Sequence, residues 1–196
     1  MSGVVSLSRP YTCIFGAPTL TAVHPQIFAL RYFTRCMECT FCGDDCCSFG
    51  VDIDTGEAAR VAALPGLAEI VGVPPSEWFT DTPVADPEFP SGAFLRTRVH
   101  NGHCVFQVRG ARGCAIHSHC LDRGLDFHLY KPMVSTLFPL TFEQGLLLAS
   151  DEVIDGDLIC SGQGPVIYDG AREELAYYFG AGLVTELDSI RLLAHS

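Results

Sequence analysis

Five cysteines fall within twelve residues: Cys36, Cys39, Cys42, Cys46 and the adjacent Cys47. The first four follow the spacing C-x2-C-x2-C-x3-C, the run by which bacterial ferredoxins hold iron–sulfur clusters. Two-residue gaps let one loop wrap a cubane and offer thiolates to different irons. A tetrahedral zinc more often takes two thiolates from one C-x2-C knuckle and two from a distant segment. Cys47 stands where the ferredoxin run has proline, and no second C-x2-C-x2-C run exists. The spacing therefore predicts metal–thiolate chemistry, but not a two-cluster ferredoxin.

Five more cysteines are scattered: Cys13, Cys104, Cys114, Cys120 and Cys160. Cys104, Cys114 and Cys160 fall at expected element edges, where a ligand can project into a shared site. The plainer alternative for an isolated cysteine is a small buried hydrophobe, and it is the expectation for Cys13 and Cys120. Setting those two aside leaves Cys36, Cys39, Cys42, Cys46, Cys47, Cys104, Cys114 and Cys160. Eight thiolates suit two four-ligand sites, or one cluster and one zinc. The vicinal pair Cys46–Cys47 is expected to face apart and serve different sites.

Five of the seven histidines, His100, His103, His117, His119 and His128, lie in the second half of the Cys-rich region. Each is a possible zinc or iron ligand, with a polar turn residue as the alternative. On one helix His117 lies three residues from Cys114, near the same face, whereas Cys120 lies about 240° around the axis. His117 is thus the better placed of the two. Asp44-Asp45 reads as a solvated loop tip, and Lys131, the one lysine, as a surface residue. There is no Gly-x-Ser-x-Gly and no phosphate-binding loop.

These residues need elements to position them. The chain of 196 residues is 48% hydrophobic and 18% charged, the balance of a globular protein with a real core. A net charge of −11 argues against nucleic acid or an anionic membrane surface as partner. No run of 18 apolar residues exists to span a bilayer. The N-terminal residues lack the basic start and apolar stretch of a secretory signal, so a cytoplasmic location is expected. In that reducing compartment dense cysteine reads as metal binding or thiol chemistry.

The first 35 residues read as extended and loop-rich. Asp54, with Glu57 three residues on, predicts a capped helix over 55–64. Pro75 opens a short turn through Trp78. His100-Asn101-Gly102-His103 predicts a hairpin between Phe94–Val99 and Cys104–Val108, and Gln144-Gly145 a second between 137–143 and 146–149. A short helix is expected from about 114 to 123. Leu183, Leu187, Ile190 and Ala194 recur at helical spacing near the end. The expected fold is α+β: one small, irregular, metal-organised domain with β-hairpins and C-terminal helices, 36–140 forming its Cys-rich core and 141–196 a hairpin and helical segment.

Cys39-x2-Cys42-x3-Cys46-Cys47 resembles the CxxCxxxCC signature of the YkgJ family of zinc- or iron-chelating domains. Downstream, Gly102-His-Cys104-Val-Phe106, Gly113-Cys114-Ala-Ile-His117, Lys131-Pro132 and Leu137-Phe138-Pro139 resemble that family's later segments in order. The resemblance covers roughly Cys36 to Leu140 and implies metal binding. The chain departs from it at Ser135, where many relatives carry a further cysteine.

Three functions follow from these residues. The first is an iron–sulfur protein, with one or two clusters of the [4Fe-4S] type, in electron transfer or an accessory role, served by a redox or metal-delivery partner. The second is a protein whose fold is stapled by structural zinc. The third is an enzyme that uses an open iron position, for which Ser135 is the motive.

Overall fold

A computed structural model describes residues 3–108, 110 and 112–194. The fold is α+β, with several small sheets and seven α-helices among the described residues. The chain divides into two compact units. Residues 1–34 and 137–196 form one, and 35–136 form the other.

The first unit is built on a four-stranded sheet ordered Val5–Thr12, Thr19–Val23, Leu146–Ala149, Leu140–Glu143. Its outer pairs are antiparallel, and the central pair, Leu146↔Ala22 and Leu147↔Val23, is parallel. The first two strands correct the loop-rich reading of the N-terminus. Arg9-Pro10 interrupts the ladder, which shifts register between Ser6 and Tyr11, so the alternation that marks a strand is broken in the sequence. The Gln144-Gly145 hairpin forms as expected, with both residues at positive φ, 50° and 77°, as a two-residue turn of type I′ requires.

Helices Ile167–Phe179 and Ala181–Ala194 pack on each other. Leu175, Leu183 and Leu187 are fully buried. The acidic residues of these helices do more than face water. Asp188 accepts hydrogen bonds from the Tyr168 hydroxyl and from Arg172, and Glu186 accepts from Ser8 and Tyr11.

The second unit has a core of Ile53, Val61, Leu67, Trp78, Phe106, Ile116 and their neighbours. Strands Asp52–Asp54, Ala93–Arg96 and Val84–Ala85 form a three-stranded antiparallel sheet. Phe94–Arg96 is therefore spent on this sheet rather than on the Asn101-Gly102 hairpin. That hairpin is shorter than expected, Val99–His100 against His103–Cys104.

The capping box at Asp54 is present. The Asp54 carboxylate accepts from the amides of Gly56 and Glu57 and opens helix Thr55–Ala62. Glu57 reaches back to the Asp54 amide and also accepts from the Met133 amide, at the start of helix Met133–Leu137. Burial, then the nearby Asp54 carboxylate, pushes the Glu57 carboxyl up from 4.5 to about 7.

Because the folded pKa is the higher one, folding favours the protonated form. The resulting stabilisation is fully present below pH 4.5 and is lost as pH rises to about 7. A shift of this size corresponds to about 3 kcal/mol. Replacing Glu57 by Gln removes that slope. Urea midpoints at pH 5 and pH 8 should differ less for Glu57→Gln than for the unaltered protein, with the variant relatively more stable at pH 8. Equal pH dependence in both would show that Glu57 does not carry it.

Candidate metal centre

The unit of residues 35–136 holds eight of the ten cysteines, and all ten are thiols. A turn of 3-10 helix, Cys36–Glu38, starts the Cys-rich run, and the Cys39 amide donates to the Cys36 carbonyl. A second such turn, Asp45–Cys47, ends it. Between them the run has no regular structure. Its direction is set by side chains.

The thiols sort into pairs rather than a single wrapped loop. Cys39 and Cys42 are buried, with sulfurs within 4.8 Å of one another. Cys36 is hydrogen-bonded to Cys46. This contact, with burial added, pushes the Cys36 thiol far above its ordinary range, and the Lys131 ammonium opposes the rise. Two thiols in contact resist joint ionisation, and a bound cation reverses that balance by supplying the largest local charge.

Cys46 contacts the Cys36 thiol, a contact that Cys47 is not shown to share. Cys46 and Cys47 both border one cavity of about 50 Å³, together with Cys104, Cys114, Thr97 and Ser135. Three separate stretches bring these groups there. Cys104 ends the short hairpin, and its sulfur lies 3.5 Å from the Thr97 hydroxyl. Cys114 is the N-cap of helix Ala115–Asp122. It is fixed by a bridge to Gln107 and by the Ala115 amide donating to the Phe106 carbonyl at 2.7 Å. Burial raises the Cys114 thiol above its usual range, again opposed by Lys131. Ser135 comes from helix Met133–Leu137, held at its start by Glu57. Ser135 thus borders the same cavity as Cys46, Cys47, Cys104 and Cys114.

Around Cys42 the structure adds a residue that the sequence reading missed. Arg112 donates to the Cys42 carbonyl and, at 2.9 Å, to the Cys42 sulfur. It also pairs with Asp44 at 3.1 Å. Asp44 is 4% exposed and sits in the left-handed region at φ 61°, so it is a buried ion-pair partner and not a solvated loop tip. No spacing rule joins positions 42 and 112. Lys131, expected on the surface, has its charge close enough to Cys36 and Cys114 to act on both thiols.

Cys120 is fully buried in the hydrophobic core, as a packed thiol. Cys13 is likewise buried, its amide donating to the Pro18 carbonyl. Cys160, which belongs to the other unit, is a buried thiol as well.

Three histidines are engaged elsewhere. His119 is buried, with Nε2 3.0 Å from the Pro65 carbonyl. His117 and His128 both pack their rings on Phe127, and His128 Nδ1 lies 2.6 Å from Asp126. Burial first, then Lys131 and His128, lowers His117 to a pKa of about 4. Because Cys114 precedes the helix, the three-residue face shared with His117 does not arise.

Among the described residues, no helix is long and apolar enough to cross a membrane. No family model, curated protein or solved structure matches the chain.

Proposed function

We propose that the chain is a metal–thiolate protein. In this reading the unit of residues 35–136 carries an iron–sulfur cluster of the [4Fe-4S] type, in an electron-transfer or accessory role, and the chain is a member of the YkgJ family. The observation that carries metal binding is the close approach of the buried Cys39 and Cys42 sulfurs, within 4.8 Å of one another, in a unit where Cys46, Cys47, Cys104 and Cys114 also border one small cavity. A packed core has no use for four thiols from three stretches of chain, whereas thiolate is the ligand that iron and zinc share. The C-x2-C-x2-C-x3-C run supports iron–sulfur over a single ion. Arg112, donating to the Cys42 sulfur, supplies the hydrogen bond to sulfur by which proteins tune such centres.

A specific observation favours structural zinc as the second reading. Cys39 and Cys42 form a close two-residue knuckle of the kind that zinc takes in pairs.

Anaerobic purification with iron, sulfide and zinc analysis separates the two. Brown protein with broad visible absorption and acid-labile sulfide is the expected result. Colourless protein holding stoichiometric zinc selects the second reading, and protein without either metal overturns both. Ser replacements at Cys39, Cys42, Cys46 or Cys114 should each lower bound metal by about half or more, or leave the protein insoluble. Cys120→Ala should keep its metal in full. Full metal content in all four Ser variants would refute the assignment.

A further inference from the structure

A second cleft, of about 480 Å³, opens in the same unit, and its walls include Asp44, His100, His103, Cys104, Gln107 and Arg112. Its volume is in the range of small-ligand sites. What distinguishes it is the placement of two imidazoles. His100 and His103 flank the two-residue turn Asn101-Gly102, whose φ angles of 54° and 80° are those of a type I′ hairpin. They are direct cross-strand partners. Residues so paired project from the same face of the hairpin, with Cβ atoms about 4.5–5.5 Å apart. The turn fixes that spacing before any ligand arrives.

The polar groups of this cleft are not all paired. His100 Nε2 and Gln107 Oε1 are shielded from solvent and have no hydrogen-bond partner among the described residues. The guanidinium of Arg112, which would repel a cation, is already matched by Asp44 at 3.1 Å. The chain as a whole carries a net charge of −11 and draws cations.

We infer that the His100–His103 pair binds a divalent transition-metal ion at this cleft, apart from the thiolates. Neutral imidazole nitrogen suits zinc, cobalt, nickel and copper, and is a poor match for magnesium or calcium, which take oxygen. Two nitrogens at about 2.0–2.1 Å can be met by rings hinged at this separation, and water completes the shell at the open side of the cleft. Cys104 borders both this cleft and the four-thiol cavity, so the ion is held next to the thiol centre without needing its sulfurs.

The test is a Co²⁺ titration of the protein as purified, with whatever metal its thiols already hold. The expected result is one equivalent of Co²⁺ with weak d–d absorption and no thiolate charge-transfer band. His103→Ala, at an exposed position, should weaken that binding at least tenfold while leaving the melting temperature and thiol-bound metal unchanged. His100→Ala should do the same to Co²⁺ binding. No uptake by the unaltered protein, a thiolate charge-transfer band, or unaltered affinity in His103→Ala would each overturn the site. Protein found without thiol-bound metal would refute the function proposed above; its thiols are then alkylated before the Co²⁺ titration, so that the signal is still read at imidazole.

Discussion

Stripping the metal with a strong chelator under reducing conditions should unfold the unit of residues 35–136. The stretch from Cys36 to Gly50 has only two single turns of 3-10 helix and no strand. Two of its large apolar residues, Phe41 and Phe49, are exposed at 46% and 59%. Too little apolar surface is removed from water there to offset the ordering of fifteen residues, at about 1–2 kcal/mol each for the backbone alone. In the metal–thiolate reading proposed above, thiol–metal bonds supply the remaining free energy, as structural zinc in small domains does with about 10–16 kcal/mol. The melting temperature should therefore fall by tens of degrees, and amide protection across 36–50 should disappear. An unchanged melt after verified metal loss would show that packing alone orders the run.

Replacing Trp78 by Ala should have the largest effect of any single core change. Trp78 is fully buried, and its indole N–H donates to the Val73 carbonyl at 2.9 Å. Its ring meets Phe106 edge-on at 5.2 Å and Phe79 at 6.4 Å. Truncations of this kind cost about 3–5 kcal/mol, a large share of the 5–15 kcal/mol typical of a domain. Phe106 also borders the four-thiol cavity, so the loss should reach the metal. Denaturant midpoints and metal content should fall together in Trp78→Ala. Trp78→Phe, which keeps an aromatic ring but gives up the Val73 bond, should lose about 1–2 kcal/mol. A loss below about 1 kcal/mol in the Ala variant would mean that the ring is not what supports this core.

The parts of this fold that could be read from the sequence are those fixed by neighbours in the chain. Asn101-Gly102 and Gln144-Gly145 each dictate a turn that few other residues tolerate, and Asp54 with Glu57 satisfies the first amides of its own helix. Strand Thr19–Val23 was hidden because its parallel partner lies more than a hundred residues away. The candidate site divides in the same way. Which cysteines lie close in sequence is plain, and their spacing suggests one loop around one cluster. That Cys36 instead meets Cys46, and that Cys46 and Cys47 share a cavity with Cys104 and Cys114, depends on a hairpin and a helix start far along the chain. Arg112 reaches Cys42 only through that same long-range folding.

The discontinuous unit has a consequence for synthesis on the ribosome. Its sheet needs Thr19–Val23 to pair with Leu146–Ala149, and its last helices end near residue 194. At about 5–20 residues per second, the contiguous stretch 35–136 has emerged about a second or two before the partner strand Leu146–Ala149 and several seconds before the last helices. The N-terminal strands therefore wait as an unpaired edge while the cysteine-bearing unit already has its whole sequence. Thiol ligation can begin on the nascent chain, and the order of assembly is set by connectivity: the inserted unit first, the unit that frames it in sequence last.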